Sequence, residues 1–422
     1  MSVITVFSGI FCNQETMIKN LLERTGYRLM VESNILAKAG KHSGMSENKI
    51  ARVFSSKPSV FNQFTHEKER SIAYLKLAMA ELLAEDNFIF SGFSGILIPR
   101  EVSHVLHLCL IADLKYRVAR AQEEKGLLTS EALRLIRKED EERGGWIGTL
   151  FQKKDPWDPS LYDMVIPTDK LTVDEIGRLV EKNLAQPIVE TSAASQKAVL
   201  DFLLAAQTEV ALAREGHQVG VNARDGVVTL TINKHVLMLS RLEEELRSIA
   251  GQVPGVRSVA TQVGQGFHQA DIYRKYNFEA PSKVLLVDDE REFVQTLSER
   301  LLLREMGSAV AYDGESALSL IKDDEPEVMI LDLKMPGIDG IEVLRRVKSS
   351  NPDIEVIMLT GHGSEADREV CMNLGAFAYL QKPVDIDLLS ETLKKANAKI
   401  QEKKTMMNLK KLNVQYPPRN IQ

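Results

Sequence analysis

The sequence predicts a multidomain α/β protein, with a parallel sheet in each outer third of the chain and a small α+β unit between them. In both outer thirds, short apolar runs alternate with helical patterns, as expected for parallel strands covered by helices. In the middle, two alternating β-rich runs flank Asp225-Gly226, a pair typical of tight hairpin turns. The length of 422 residues fits roughly two to four domains.

The composition is that of an ordinary globular protein, with 44% hydrophobic and 27% charged residues. The net charge of −6 disfavours a chain built mainly to bind nucleic acid, which is usually basic. No signal peptide and no apolar run of membrane-spanning length is recognised. Cys12, Cys109 and Cys371 are far apart, which predicts reduced, buried thiols. We therefore expect a cytoplasmic protein.

The last third is the most informative, because four apolar runs there each lead into a polar side chain. Asp288 and Asp289 follow KVLLV, Asp332 follows VMIL, Thr360 ends EVIMLT, and Lys382 follows AYLQ. The carboxyl ends of parallel strands gather at one edge of a sheet, so these side chains are expected to converge. Three carboxylates repel one another unless a cation lies among them, and such hard oxygen ligands favour Mg²⁺. A lysine and a hydroxyl beside them can hold a phosphate.

These residues give the stretch from roughly 283 to 399 a close resemblance to the receiver domain of bacterial two-component response regulators. The resemblance implies a flavodoxin-like, doubly wound sheet of five parallel strands, over residues 283–400. It implies that Asp332 accepts a phosphoryl group from a histidine kinase or phosphotransfer protein. It also implies that Mg²⁺ is bound by Asp288, Asp289, Asp332 and the backbone carbonyl of Lys334.

The same resemblance assigns roles to the ends of the later strands. Thr360 and Lys382 would contact the phosphate, and the Lys382–Pro383 peptide bond would be cis. Tyr379 stands where the family has its aromatic switch residue. An ordinary half-buried strand aromatic is the alternative for Tyr379.

The N-terminal strand and helix meet where a nucleotide-phosphate loop would lie. The turn between them reads SGIFCNQE from Ser8 to Glu15, with one glycine and no lysine or arginine. A phosphate loop needs glycines, so that backbone N–H groups can approach the phosphates, and a basic residue for their charge. The turn therefore lacks what an ordinary phosphate loop requires.

Further along, VLHLCLIADLKYRVARA and the charged segment LRLIRKEDEERGGW resemble the lid region of the cytidylate-kinase-like family of P-loop phosphotransferases. In that family, arginines matching Arg117, Arg120 and Arg143 help clamp phosphates, and Asp140 belongs to the same lid motif. A solvated helix face with ion pairs is the alternative for these arginines. The resemblance spans about residues 3 to 184, and the domain is placed at 1–184.

Two departures from that family bear on activity. The glycine-rich loop is replaced, and Gly92-Phe93 stands where the family has a Gly-Arg pair. They predict a P-loop-kinase-like domain that is non-catalytic and serves as a sensor or interaction module. Weak nucleotide binding through the lid arginines and an active cytidylate kinase both stay open as alternatives.

The middle unit, residues 195–266, has the pattern α-β-β-α-β. The stretches DGVVTL (225–230) and VPGVRSV (253–259) resemble the BON domain, which implies contacts with a protein or a lipid head group. A structural spacer is the alternative. The segments 185–195 and 266–282 are interpreted as linkers, and the second of them contains four aromatic residues.

A lysine-rich tail, residues 401–422, follows the receiver. Between Lys394 and Lys411 there are seven lysines and one acid, which indicates a solvated helix face or contact with an anionic surface or nucleic acid. No helix-turn-helix pattern accompanies it, so specific DNA binding is not expected.

The leading hypothesis is a cytoplasmic response regulator whose phosphorylation at Asp332 is read by the upstream domains and an unidentified protein partner. The second is a nucleoside monophosphate (cytidylate) kinase gated by the receiver. The third is an adaptor at a membrane surface. A homodimer is compatible with all three.

Overall fold

The computed structural model describes residues 2–55, 66–236, 238–264, 267, 281, 283–304, 306–361 and 363–415. Most of the linker expected at 266–282, and residues 416–422 of the tail, lie outside this part. The described residues fall into two compact units that divide near residue 274. No helix within these ranges is both long and apolar enough to cross a membrane.

The first unit contains a parallel sheet whose strands are β1 (Val3–Ser8), β2 (Arg28–Val31), β3 (Phe88–Ser91), β4 (Val105–Ile111) and β5 (Met164–Pro167). Their order is β2-β3-β1-β4-β5. Every residue of β1 is buried, as expected for a strand covered on both faces. The apolar runs predicted as strands form β1, β3 and β4. The sequence did not indicate β2, because it has only four residues and two of them are exposed.

The helices around this sheet are α1 (Gln14–Thr25), α2 (Glu32–Ser43), α3 (Glu47–Ala51), α4 (Glu67–Leu82), α5 (Leu114–Lys125), α6 (Thr129–Phe151) and α7 (Val173–Leu184). The charged helical pattern that begins α6 covers only the residues before Gly144, but the helix continues through three glycines to Phe151. Trp146 and Ile147 are fully buried. Burying these two side chains stabilises this stretch by about 3–6 kcal/mol in total, which offsets the cost of about 3 kcal/mol for the three helical glycines.

The middle region follows the predicted α-β-β-α-β order, with α8 (Ala193–Arg214), β6 (Gly220–Arg224), β7 (Val227–Ile232), α9 (Leu239–Gly251) and β8 (Ser258–Val263). β6 and β7 are antiparallel, and β8 is parallel to β7. Asp225 and Gly226 join the hairpin with φ angles of 54° and 76°, the left-handed conformations that a two-residue hairpin turn requires.

One helix, α8, belongs to two hydrophobic cores. Phe202, Ala206 and Val210 pack into the core beside the parallel sheet. Leu204 and Leu212 pack under the three-stranded sheet. The segment 185–195, interpreted as a linker, contains a short 3₁₀ turn and the start of α8, and it joins two parts of one compact unit.

The second unit alternates β9 (Val284–Val287), α10 (Arg291–Leu302), β10 (Ser308–Ala311), α11 (Gly314–Asp323), β11 (Val328–Leu331), α12 (Gly340–Ser350), β12 (Glu355–Thr360), α13 (Glu365–Asn373), β13 (Ala378–Gln381) and α14 (Ile386–Gln415). All five strands are parallel, in the order β10-β9-β11-β12-β13. Helices α11, α12 and α13 cover one face of the sheet, and α10 and α14 cover the other. The predicted doubly wound five-stranded sheet is confirmed.

Helix α14 continues beyond the sheet into the lysine-rich segment. Glu355 is only 1% exposed, and Lys399 and Lys403 contact its carboxylate at 2.9 and 3.2 Å. Lys404 pairs with Glu327 at 2.7 Å. These acids lie at the amino ends of β12 and β11, so three of the lysines stabilise the second unit. These three lysines are about half exposed, so the predicted solvated helix face also carries ion pairs to the sheet.

All three cysteines are free and buried, as predicted. Burial raises the pKa of the Cys12 thiol to about 11, and that of Cys109 further still. A thiolate is therefore disfavoured at both positions, which suits structural side chains and not nucleophiles.

Candidate functional site

Two neighbouring strands of the second unit place acids side by side. The parallel register pairs Leu331 with Val287, so Asp332 and Asp288 each follow the last paired residue of its strand. The backbone N–H of Asp332 donates to the Val287 carbonyl at 2.9 Å. Single oxygens of Asp288, Asp289 and Asp332 lie within 4.8 Å of one another. This is the convergence that the strand ends predicted.

Lys382 approaches the acids from the end of β13. Its Nζ lies 2.6 Å from Asp288, 3.2 Å from Glu290 and 3.8 Å from Asp332. The ammonium also lies 4.4 Å from the centre of the Phe293 ring. The side chain is only 12% exposed, so its charge acts on the carboxylates with little screening by water.

The electrostatics of this cluster favour a bound cation. Burial raises the pKa of both Asp288 and Asp332, although Lys382 opposes the change. Burial disfavours the Lys382 ammonium, but its bonds to the acids outweigh that effect and raise its pKa. The buried Oδ1 of Asp332 has no hydrogen-bond partner among the described residues. Such an oxygen costs roughly 1–3 kcal/mol when it is left unsatisfied, and a hard divalent cation would satisfy it.

The remaining predicted residues lie at the same end of the sheet. Thr360 is buried, and its carbonyl accepts a hydrogen bond from the Lys382 N–H at 2.8 Å. The Lys382–Pro383 bond is cis, as the resemblance implied. The Tyr379 hydroxyl is buried and has no hydrogen-bond partner within the described ranges. A Cβ added at Gly363 would lie 1.7 Å from that hydroxyl, so the loop leaves room for the ring only because residue 363 is glycine.

Sequence reasoning missed three residues that shape the site. Glu290 and Phe293 both contact Lys382, and the third acid in the run DDE was the signal for the first of them. At Gly340, an added Cβ would lie 2.1 Å from the backbone oxygen of Asp332. The chain after Asp332 therefore folds back against its own backbone, and only glycine fits there.

Gly340→Ala is expected to destabilise the second unit by about 1–3 kcal/mol, because the added methyl group meets backbone and not a movable side chain. Gly361→Ala is the matched control, since a Cβ there would meet only ordinary contacts at 3.9 Å. Thermal unfolding of the two variants measures the difference. Equal stabilities would show that the loop after Asp332 adapts freely.

The first unit brings its predicted arginines to the turn after β1. Arg117 is buried, its Nε donates to the Ile10 carbonyl at 2.9 Å, and its other nitrogens donate to both oxygens of Asp140 at 2.8 Å. Arg143 is also buried, and its Nε donates to the Ser8 carbonyl at 2.7 Å.

Arg120 is more exposed than the other two arginines. It pairs with Glu124 at 2.5 Å, and one of its nitrogens lies 3.4 Å from the Asn13 side chain. The arginines therefore do gather at the loop, but in these contacts they bind protein oxygens.

A doubly wound sheet in this strand order, with acids at its carboxyl edge, is a receiver-like fold. Residues 284–394 match the family model for the response regulator receiver domain. Residues 3–170 match the model for the cytidylate kinase-like family. The C-terminal part of the chain is therefore a response regulator receiver domain, and the N-terminal part has a cytidylate kinase-like sequence.

Curated proteins resemble part of this chain, and two of them are named as regulators. The response regulator MprA of Mycolicibacterium vanbaalenii is 36% identical over 109 residues, which are 26% of this chain and 47% of that protein. The transcriptional regulatory protein CpxR of Escherichia coli is 44% identical over 102 residues, 24% of this chain and 43% of that protein. The match thus spans less than half of each relative.

Solved structures of receiver domains align with a similar share of this chain. A receiver domain protein from Methanospirillum hungatei is 26% identical, with 29% of this chain and 97% of that chain covered and a TM-score of 0.28. One from Clostridium thermocellum is 33% identical, with 29% and 98% covered and a TM-score of 0.28.

Proposed function

We propose that this chain is a response regulator that accepts a phosphoryl group on Asp332 from the phosphohistidine of a histidine kinase or phosphotransfer protein. The observation that carries this proposal is the cluster of three acids, within 4.8 Å of one another, that Lys382 approaches to 2.6 Å. The two relatives described above, one named a response regulator and one a transcriptional regulatory protein, support it over about a quarter of this chain.

The transfer needs one nucleophile and several groups that stabilise charge. A carboxylate oxygen of Asp332 attacks phosphorus, the bond from phosphorus to the histidine nitrogen breaks, and the leaving imidazole nitrogen keeps the electron pair. The product is an acyl phosphate. Asp288, Asp289, Asp332 and the Lys334 carbonyl would hold Mg²⁺, which supplies positive charge to the phosphoryl oxygens.

Two further groups then contact the new phosphate. The Lys382 ammonium lies 3.8 Å from Asp332, close enough to exchange a carboxylate partner for a phosphoryl oxygen. The Thr360 hydroxyl would donate to another oxygen. Tyr379, whose buried hydroxyl has no hydrogen-bond partner among the described residues, is the side chain whose environment this rearrangement would change.

The unit before the receiver is the proposed output. In this proposal, residues 1–184 act as a kinase-like interaction module, and residues 195–266 act as a BON-like unit that contacts a protein or an anionic surface. Phosphorylation shifts the receiver between two states, and the upstream unit responds to that change of state.

Acetyl phosphate with Mg²⁺ is expected to add one phosphoryl group to the full chain, and EDTA is expected to reduce the incorporation by at least about tenfold, because the acid cluster then lacks its cation. Intact-mass measurement follows the addition, and hydrogen exchange in residues 2–264 reports the output. Metal-independent incorporation, or a phosphoryl group on another residue, would contradict the proposal.

A further inference from the structure

The carboxyl edge of the first sheet is where a nucleotide would be expected. In open parallel sheets, ligands bind where neighbouring connections leave a strand in opposite directions. Here β1 lies between β3 and β4, so the turn from Ser8 to Asn13 occupies that position. In this chain, the backbone carbonyls of Ser8 and Ile10 in that turn accept hydrogen bonds from Arg143 and Arg117.

At the turn where the phosphates of a nucleotide would bind, the arginines are paired with carboxylates of the same chain. Arg117 packs against Gly9, where an added Cβ would lie 3.3 Å from the guanidinium carbon. Its forked edge, which would otherwise grip an anion, is held by both oxygens of Asp140 at 2.8 Å. Arg143 donates to Ser8 and is paired with Glu139 at 2.9 Å. Each arginine therefore already has an internal carboxylate.

Aromatic rings pack together around Phe7 of β1 and around Phe93, which follows β3. Trp146 is fully buried, and its Nε1 donates to the Phe93 carbonyl at 3.0 Å. Phe93 also lies under the Arg143 guanidinium, 5.1 Å away. The rings at this position lie within 4.8–5.9 Å of a neighbour, centre to centre, and belong to Phe7, Phe54, Phe93, Trp146, Trp157 and Tyr162.

We propose that this nucleotide site is closed by its own side chains, with Asp140 serving as a built-in anion for Arg117. The first unit therefore takes no nucleotide and acts as a preformed protein module. A phosphate that entered would first have to separate a largely buried ion pair, which would weaken its binding by roughly two orders of magnitude. The proposal does not depend on phosphorylation at Asp332.

The first test is nucleotide binding by the full chain. Calorimetric titration with Mg-ATP and with CMP is expected to give no heat of binding, and neither compound should raise the unfolding temperature of the first unit. Micromolar binding of either nucleotide, or conversion of CMP to CDP, would overturn the proposal.

The second test replaces the built-in anion. Asp140→Asn keeps the shape of the side chain but leaves the buried Arg117 without a countercharge. The variant is expected to unfold at a lower temperature, and inorganic phosphate should restore much of the loss, compared with chloride at equal ionic strength. The wild-type chain should gain no such stability, since Asp140 already holds the position.

Asp174→Asn is the matched control, because Asp174 forms an ion pair with Arg24 at an exposed position, and phosphate should not affect it selectively. If Asp140→Asn does not fold, Arg117→Met combined with Asp140→Leu removes both charges and is expected to fold without a response to phosphate. A folded Asp140→Asn chain that ignores phosphate, or a double variant that responds to it, would show that Asp140 does not take an anion's place.

Discussion

Asp332→Asn is expected to lower phosphoryl incorporation from acetyl phosphate by at least about 10³-fold, because an amide oxygen is a far poorer nucleophile than a carboxylate. The shape of the side chain is preserved at a position that is 6% exposed, so the fold should be retained. Removing one of three clustered negative charges also relieves repulsion, so stability should not fall. Intact-mass measurement of phosphoryl incorporation over time gives the rate.

Asp339→Asn is the matched control for this experiment. Asp339 lies in the same loop, and its carboxylate caps α12 by accepting the Glu342 N–H at 2.8 Å. Asparagine caps helices about as well as aspartate, so phosphorylation should proceed at nearly the wild-type rate. If Asp332→Asn were phosphorylated as fast as this control, another residue would be the acceptor.

Glu355→Gln is expected to lower the free energy of unfolding of the second unit by about 2–4 kcal/mol. The carboxylate is 1% exposed and faces Lys399, Lys403 and Lys348, the last at 3.9 Å. Burial lowers the pKa of Lys348, and the Glu355 carboxylate opposes that change. Breaking a buried pair costs about 3–5 kcal/mol, and the partly exposed Lys399 and Lys403 reduce that figure because they can turn to water.

Hydrogen exchange in β9, β11 and β12 of the full chain measures this loss, because these central strands open only when the unit unfolds. Glu327→Gln is the control, since its contact with the half-exposed Lys404 should contribute less than about 1 kcal/mol. Equal protection in the two variants would mean that the lysines of α14 do not stabilise the sheet.

The receiver site was predictable because its signals are local. Asp288 and Asp332 each follow a four-residue apolar strand, and the topology of a parallel sheet then brings the strand ends together. The prediction did not require any knowledge of which residues far apart in sequence are in contact. Gly340 escaped notice because a glycine in a turn has many explanations, and only the 2.1 Å approach to Asp332 selects one.

The arginine contacts of the first unit were not predictable in the same way. On a helix, Arg117 and Arg143 among acids have the pattern of solvated ion pairs. Their oxygen partners at Ile10 and Ser8 lie 107 and 135 residues away in sequence. The same applies to Lys399, whose partner Glu355 is 44 residues distant. Such pairings depend on packing of the whole domain.

Helix α8 has a consequence for how the first unit loses its structure. Phe202 and Val210 belong to one core, and Leu204 and Leu212 belong to another, so neither core can melt while this helix stays intact and fully packed. Lys76 and Glu209 form a salt bridge of 2.8 Å between α4 and α8. We therefore expect the parallel sheet and the three-stranded sheet to unfold in a single cooperative transition, although the sequence presents them as separate modules.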